Sequence, residues 1–179
     1  PLDEVKVVFC GDTRNNMAYA WMYGCAKMGM HFVGWGPKEL SPSEDIVAYC
    51  NEVAKETGAV LEFGEDLALL KGADVIYTDI WVSMGEEAKL AERVKQLAPY
   101  KVTSKVMAAT ENPKCLFMHC LPAYHDFETL TAQHCKEEGY DIREVDDDVF
   151  RSKQSVVFDE AENRMHTIKA VMVATLGNQ

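Results

Sequence analysis

Short runs rich in β-branched and aromatic residues alternate along this chain with longer stretches of helical periodicity, and that alternation restricts the fold more than any other property of the sequence. A strand that reads as an unbroken apolar run is covered on both faces, and the chain can return parallel to it only through a crossover, usually a helix. The runs are Val5–Cys10, His31–Trp35, Val60–Phe63, Val75–Thr78 and Cys115–His119. Helical stretches fall near Asn16–Met28, Ser43–Thr57, Asp66–Lys71 and Glu86–Leu97, with Pro37, Pro42, Gly58, Gly72 and Pro99 as punctuation. The expected fold is a single doubly wound α/β domain over residues 1–179, with a parallel five-stranded sheet in the order 3-2-1-4-5 and helices on both faces.

The remainder is less regular. Phe127–Glu138 reads as helix, Tyr140–Val145 as a short strand, and a final helix begins near Glu160. Its apolar residues Ala161, Met165, Ile168, Met172 and Leu176 keep to one face, which is expected to turn towards the core. Asp159 reads as its N-cap, with Glu162 three residues on as the reciprocal partner.

Charge and composition exclude several classes of function. Lys and Arg number 18 against 29 Asp and Glu, a net charge of −11 that repels phosphate backbones and anionic membrane surfaces, so neither nucleic acid nor membrane is an expected partner. No apolar run approaches the roughly 18 residues that would span a bilayer. The opening Pro1-Leu2-Asp3-Glu4 carries acid where a signal peptide carries base. The six cysteines are scattered, unlike a secreted disulfide framework, and read as reduced thiols in a cytoplasmic setting.

Ligands of open parallel sheets bind beyond the carboxyl ends of the strands, where the strand order reverses. Three strands end there in polar sequence: Gly11-Asp12-Thr13-Arg14-Asn15-Asn16 after the first, Asp79-Ile80-Trp81-Val82-Ser83-Met84-Gly85 after the fourth, and His119-Cys120-Leu121-Pro122 at the end of the fifth. The first loop lacks the three glycines of a dinucleotide fingerprint, and no P-loop lysine follows it. Asn15 and Asn16 at a helix start suit either a bound carboxylate or a helix cap. Asp79 suits an ammonium group or a turn, with Ser83 a further acceptor beside it.

Leu121, preceding Pro122, is expected to be extended, with the Cys120 and Leu121 carbonyls available to amine hydrogens. Cys120 reads as a tuned thiol or a small apolar filler. Strand alternation argues against His119, Cys120, His125 and Asp126 sharing a metal, so no metal site is expected. Arg164, near the start of the last helix, suits a forked contact to an anionic or carbonyl group, or a solvated surface.

Taken together these three loops and Glu162-Asn163-Arg164-Met165-His166-Thr167-Ile168-Lys169-Ala170 resemble the ornithine transcarbamylases. The resemblance covers essentially the whole chain but only the second, ornithine-binding half of the family's polypeptide. The Ser-Thr-Arg-Thr loop and His-Pro segment of the carbamoyl-phosphate-binding half are absent. It implies that Asn16, Asp79, Ser83 and the Met84 backbone hold the amino-acid head of L-ornithine. Cys120 and Leu121 receive the reacting δ-amine and carbamoyl groups, and Arg164 contacts carbamoyl phosphate. Cys120, Asp79 and Arg164 are the implied catalytic residues, with Trp81 and Leu121 bounding the length of the ornithine chain.

Cys120 and the Ser83-Met84-Gly85 stretch favour ornithine over the aspartate and putrescine enzymes of the wider group. Ala18-Tyr19-Ala20-Trp21 is bulkier than the first helix usual in the family. The resemblance further implies no cofactor, a parent protein that is a homotrimer or larger, a lone domain that is monomeric, and no activity from this chain alone. A nucleotide-binding α/β module and a non-catalytic binding protein of the same fold are the competing functional readings.

Overall fold

β1 (Lys6–Cys10) lies at the centre of a parallel sheet because nothing in it needs water: Val7, Val8 and Phe9 are fully buried and Cys10 is nearly so. Around it stand β2 (His31–Trp35), β3 (Val60–Gly64), β4 (Val75–Thr78) and β5 (Leu116–His119), in the order β3-β2-β1-β4-β5 that the crossover pattern predicts. The computed structural model describes residues 1–82 and 87–177. In register, Cys10 of β1 stands beside Thr78 of β4, and Thr78 beside His119 of β5. Three strand ends are therefore brought level.

The pleat sorts alternate residues onto two cores. Val7, Phe9, Phe32 and Tyr77 face α1 (Asn16–Met28) and α2 (Glu44–Thr57), meeting Ala18, Met22 and Cys25. On the other face Val8, Cys10, Val33, Ile76 and Phe117 meet Tyr100 and Val102. Helix α3 (Leu90–Leu97) packs nearby through a satellite cluster of Leu40, Trp81 and Leu97. Val106 and Met107 of α4 (Ser104–Ala109) and Val149 and Phe150 of α6 (Asp147–Phe150) complete the second core, while α5 (Leu130–Glu137) packs through Ala132 and Cys135 against Ile142. The bulky first helix is accommodated by specific contacts. Trp21 stands edge-on to Tyr77 with ring centroids 5.2 Å apart, and the Tyr19 hydroxyl lies 3.1 Å from Ser43 Oγ.

Some elements depart from the sequence pattern. Asp66–Lys71 yields one 3₁₀ turn over Leu67–Leu70, and Tyr140–Val145 forms no strand, Val145 making a single bridge to Val102. The last helix, α7, runs over Val157–Leu176, starting three residues before Glu160. Val156 occupies its N-cap position without a side-chain bond, so Asp159 sits inside the first turn and caps nothing. Its stripe does not turn to the core either: Met165, Ile168, Met172 and Leu176 are 49–61% exposed. Periodicity reveals that a helix has an apolar face but not what covers it, and every described residue of α7 from Ala161 onwards is exposed.

The two environments predict opposite responses to one substitution. Ile76→Ala empties a packed site and should lower unfolding free energy by about 2–5 kcal/mol. Ile168→Ala on α7 should change it by less than about 0.5 kcal/mol. Urea unfolding of both variants checks this, and a comparable loss in each would show that α7 is buried in solution.

Candidate active site

The β1–α1 connection is pinned before it reaches the helix. Asp12 Oδ1 accepts from the Arg14 amide at 2.9 Å, while Oδ2 pairs with Arg93 of α3 at 2.8 Å. Both partners of that ion pair are mostly shielded, so solvent screens it little. Asn15 is the N-cap of α1: its side-chain oxygen accepts from the Ala18 amide at 2.8 Å. That bond aims the amide nitrogen the other way, onto Asp79 Oδ2 at 3.2 Å. Asn16, the expected ligand, begins α1 and stands exposed on the rim of a cavity of about 670 Å³ lined also by Arg14, Asn15, Lys89 and Arg93.

Asp79 follows β4 and gathers three neutral donors. Besides Asn15, its Oδ1 accepts from the Ile80 amide at 2.8 Å and from the Cys120 thiol at 3.1 Å. Burial, followed by the adjacent Asp79 carboxylate, pushes the Cys120 thiol up to about 12. That is well above an ordinary thiol value of about 8.5. Cys120 is a proton donor held to Asp79, and the carboxylate is the acceptor of the pair.

Leu121 is not extended. Its φ of +56° is left-handed, and its bond to Pro122 is cis. The reason lies in His119, fully buried, whose Nδ1 accepts from the Leu121 amide at 2.9 Å and thereby curls the chain back on itself. With Nδ1 accepting, the ring proton sits on Nε2 and is donated to Glu144 Oε1 at 3.0 Å. The same Glu144 oxygen accepts from the Tyr124 amide at 2.7 Å. Burial pushes the Glu144 carboxyl above the usual carboxylate range, with the His119 contact opposing it.

The other expected site residues divide. Ser83 and Met84 lie outside the described residues. Trp81 is 4% exposed and packed with Leu40 and Leu97, its indole N–H without a partner among the described residues. Arg164 lies on the exposed part of α7, one turn beyond Glu160 and so on the same side of the helix. Glu160 accepts from the Tyr77 hydroxyl at 2.8 Å and from the His119 amide at 3.1 Å. Glu144 and Glu160 are structural partners of the site that sequence reasoning missed. The i, i+4 spacing of Glu160 and Arg164 was the one available signal.

Among the described residues, two groups of side chains could offer ligand atoms to a cation. Asp79, His119 and Cys120 bring theirs within 4.8 Å of one another, because the strand ends at His119 and its alternation stops there. Both His119 nitrogens are already engaged, so a cation would have to break the Leu121 or Glu144 bond. His125, Asp126 and Asp147 form the second group, which Arg151 already bridges, 2.8 Å from Asp147 and 3.4 Å from Asp126.

The family model for the aspartate/ornithine carbamoyltransferase Asp/Orn binding domain matches residues 3–175. The chain belongs to that family. It is 64% identical over 180 residues to the catabolic ornithine carbamoyltransferase of Clostridium perfringens strain 13, a match spanning 99% of this chain and 54% of that protein. The ornithine carbamoyltransferase of Pyrococcus furiosus superposes with a TM-score of 0.81 at 38% identity, over 98% of this chain and 50% of that one. The anabolic ornithine carbamoyltransferase of Campylobacter jejuni gives 0.81 at 32%, over 98% and 52%. The chain thus spans about half the length of the curated relatives it matches.

For this carbamoyltransferase domain the thiol's environment makes a direct prediction. Cys120 should resist iodoacetamide at pH 8, and Asp79→Asn, which removes a carboxylate holding the thiol protonated, should speed its alkylation by roughly tenfold or more. Mass mapping of the modified peptide gives the rate. Fast alkylation of the unmodified protein would contradict the raised value.

Proposed function

We propose that this domain is the ornithine-binding half of an ornithine carbamoyltransferase, which moves the carbamoyl group of carbamoyl phosphate onto the δ-amine of L-ornithine to give L-citrulline and phosphate. The observation that carries this reading is the Asp79 carboxylate, set at the meeting of three strand ends between the Asn15 amide on one oxygen and the Cys120 thiol on the other. The Asp79 oxygen paired with the Asn15 amide would set the side of the amino-acid head, and the Cys120 thiol the side of the reacting amine. A single carboxylate therefore links recognition to chemistry.

Ornithine's δ-ammonium has a pKa near the lysine value of about 10.4, so it must lose a proton before it can attack. Cys120 supplies the route: its sulfur accepts a proton from the ammonium as its own passes to Asp79, leaving a neutral amine and a neutral carboxyl. The amine, oriented by the carbonyls of Cys120 and Leu121, attacks the carbamoyl carbon. Negative charge grows on the carbamoyl oxygen, where the Arg164 guanidinium is the group to receive it. Collapse expels phosphate, and the added nitrogen sheds its second proton. The reaction balances with the two substrates alone and calls for no cofactor.

Six free thiols support a cytoplasmic setting, and none of the described helices is long and apolar enough to cross a membrane. Assembly of the parent as a homotrimer or larger, with this domain alone monomeric, rests on the family resemblance.

This chain by itself should make no citrulline, since it spans about half the length of its relatives and the resemblance assigns the phosphate loop to the other half. L-ornithine should nonetheless shift the amide resonances of Asn15, Ile80 and Cys120 with an affinity no better than about millimolar. In the full-length protein, Asp79→Asn should lower kcat/KM for ornithine by more than about 100-fold, the effect of roughly 2.7 kcal/mol. Putrescine, which loses only the proton acceptor and has no α-amino group to lose, should suffer less. Equal losses for the two amines would sink the assignment of Asp79 to the amino-acid head.

A further inference from the structure

β5 is an edge strand, and its outward N–H groups need acceptors that no neighbouring strand provides. Phe117 finds one in the Gln154 carbonyl, and the chain returns the bond from Val156 to the Phe117 carbonyl. Two residues further along the same edge, the His119 amide has no main-chain partner. The Glu160 side chain takes that place with Oε2, at 3.1 Å, while Oε1 accepts from the Tyr77 hydroxyl at 2.8 Å. Tyr77 is fully buried, and burial followed by the nearby Glu160 charge pushes its phenol up, so it remains a donor.

Glu160 thus answers two donors, one on each oxygen, and that need is chemically selective. A carboxylate offers two acceptors, whereas a carboxamide in the same place would turn an N–H towards one of the donors. The position matters because of what lies on either side of it. His119 immediately precedes Cys120 and holds the Leu121 amide, and Arg164 is one turn along α7 from Glu160. The base of α7 is otherwise anchored by Val157, since the helix is exposed from Ala161 onwards.

We infer that Glu160 is a positioning residue for the transfer reaction, a pin that locks the end of β5 to the base of α7 so that the Cys120–Leu121 turn and Arg164 are presented to one crevice. This rests on the functional reading above. The pin itself is a matter of two hydrogen bonds and can be measured without activity.

The experiment is a rescue. Glu160→Gln should move the His119 amide proton resonance of this chain, and in the full-length protein should lower kcat about tenfold at saturating substrates, the effect of about 1.4 kcal/mol in the transition state. Tyr77→Phe alone leaves the His119 amide its carboxylate acceptor and should lower kcat by no more than about threefold. Adding Tyr77→Phe to Glu160→Gln should restore most of the activity and return the His119 resonance, because the amide oxygen is then free to serve His119. A merely stabilising role would move the melting temperature and leave kcat per folded enzyme unchanged. A double variant no better than Glu160→Gln, or an unmoved His119 resonance, would overturn the inference. A wild-type parent that makes no citrulline would count against the functional reading alone, since the resonance still reports the pin.

Discussion

Parallel pairing of β1 with β4 is the contact from which the rest of this molecule follows. The two strands are separated in sequence by β2, α2 and β3, yet they lie side by side with Cys10 level with Thr78, and the Thr78 hydroxyl donates to the Cys10 carbonyl at 2.9 Å. Both residues are buried, so that bond is formed away from competing water. Because the chain leaves β1 towards β2 and leaves β4 towards β5 on the opposite side, the loops beyond the two strands diverge and leave a crevice. Asn15 and Asp79 meet across it. Had the register slipped by one residue, each side chain would have changed faces and the pair would have been lost.

Electrostatics in the crevice follow from which donors surround Asp79. The Ile80 amide, the Asn15 amide and the Cys120 thiol are all neutral, so they orient the carboxylate without cancelling its charge. In the proposed function a cationic ligand would meet an acceptor that is already ordered. The same arrangement explains the thiol: a carboxylate at 3.1 Å in a partly desolvated place penalises a second negative charge, and the proton stays on sulfur. Recognition of an ammonium group and suppression of a thiolate are two results of one placement.

The sheet was legible in the sequence because its strands are buried on both faces, where composition and periodicity report directly on environment. Helix α1 was legible down to its first residue, since Asn15 caps it through a local bond and Gly29, at φ +75°, ends it. Legibility fails wherever the deciding partner is distant. Leu121 is curled by His119, which is fixed by Glu144 twenty-five residues later, and no local rule about the residue before proline anticipates that. Asn15 and Asn16 are alike in sequence, and only the direction of the helix start separates the one that reaches Asp79 from the one on the rim. Trp81 reads equally as wall or core until Leu40 and Leu97 are seen to close over it.

Charge and exposed surface bear on how the proposed reaction is divided. In the proposed reaction a net charge of −11 disfavours the phosphorylated substrate more than the amino acid. The cationic and amide side chains of the described crevice, Arg14, Asn15, Lys89 and Arg93, line the side of it next to the start of α1. Arg164 sits where α7 leaves the body, and beyond it Ile168, Met172 and Leu176 remain open to solvent. Relatives of about twice this length have residues to supply both a phosphate site and a cover for that stripe. A transfer between two ligands of opposite charge is served by holding each in its own field and letting the reacting atoms meet at the boundary.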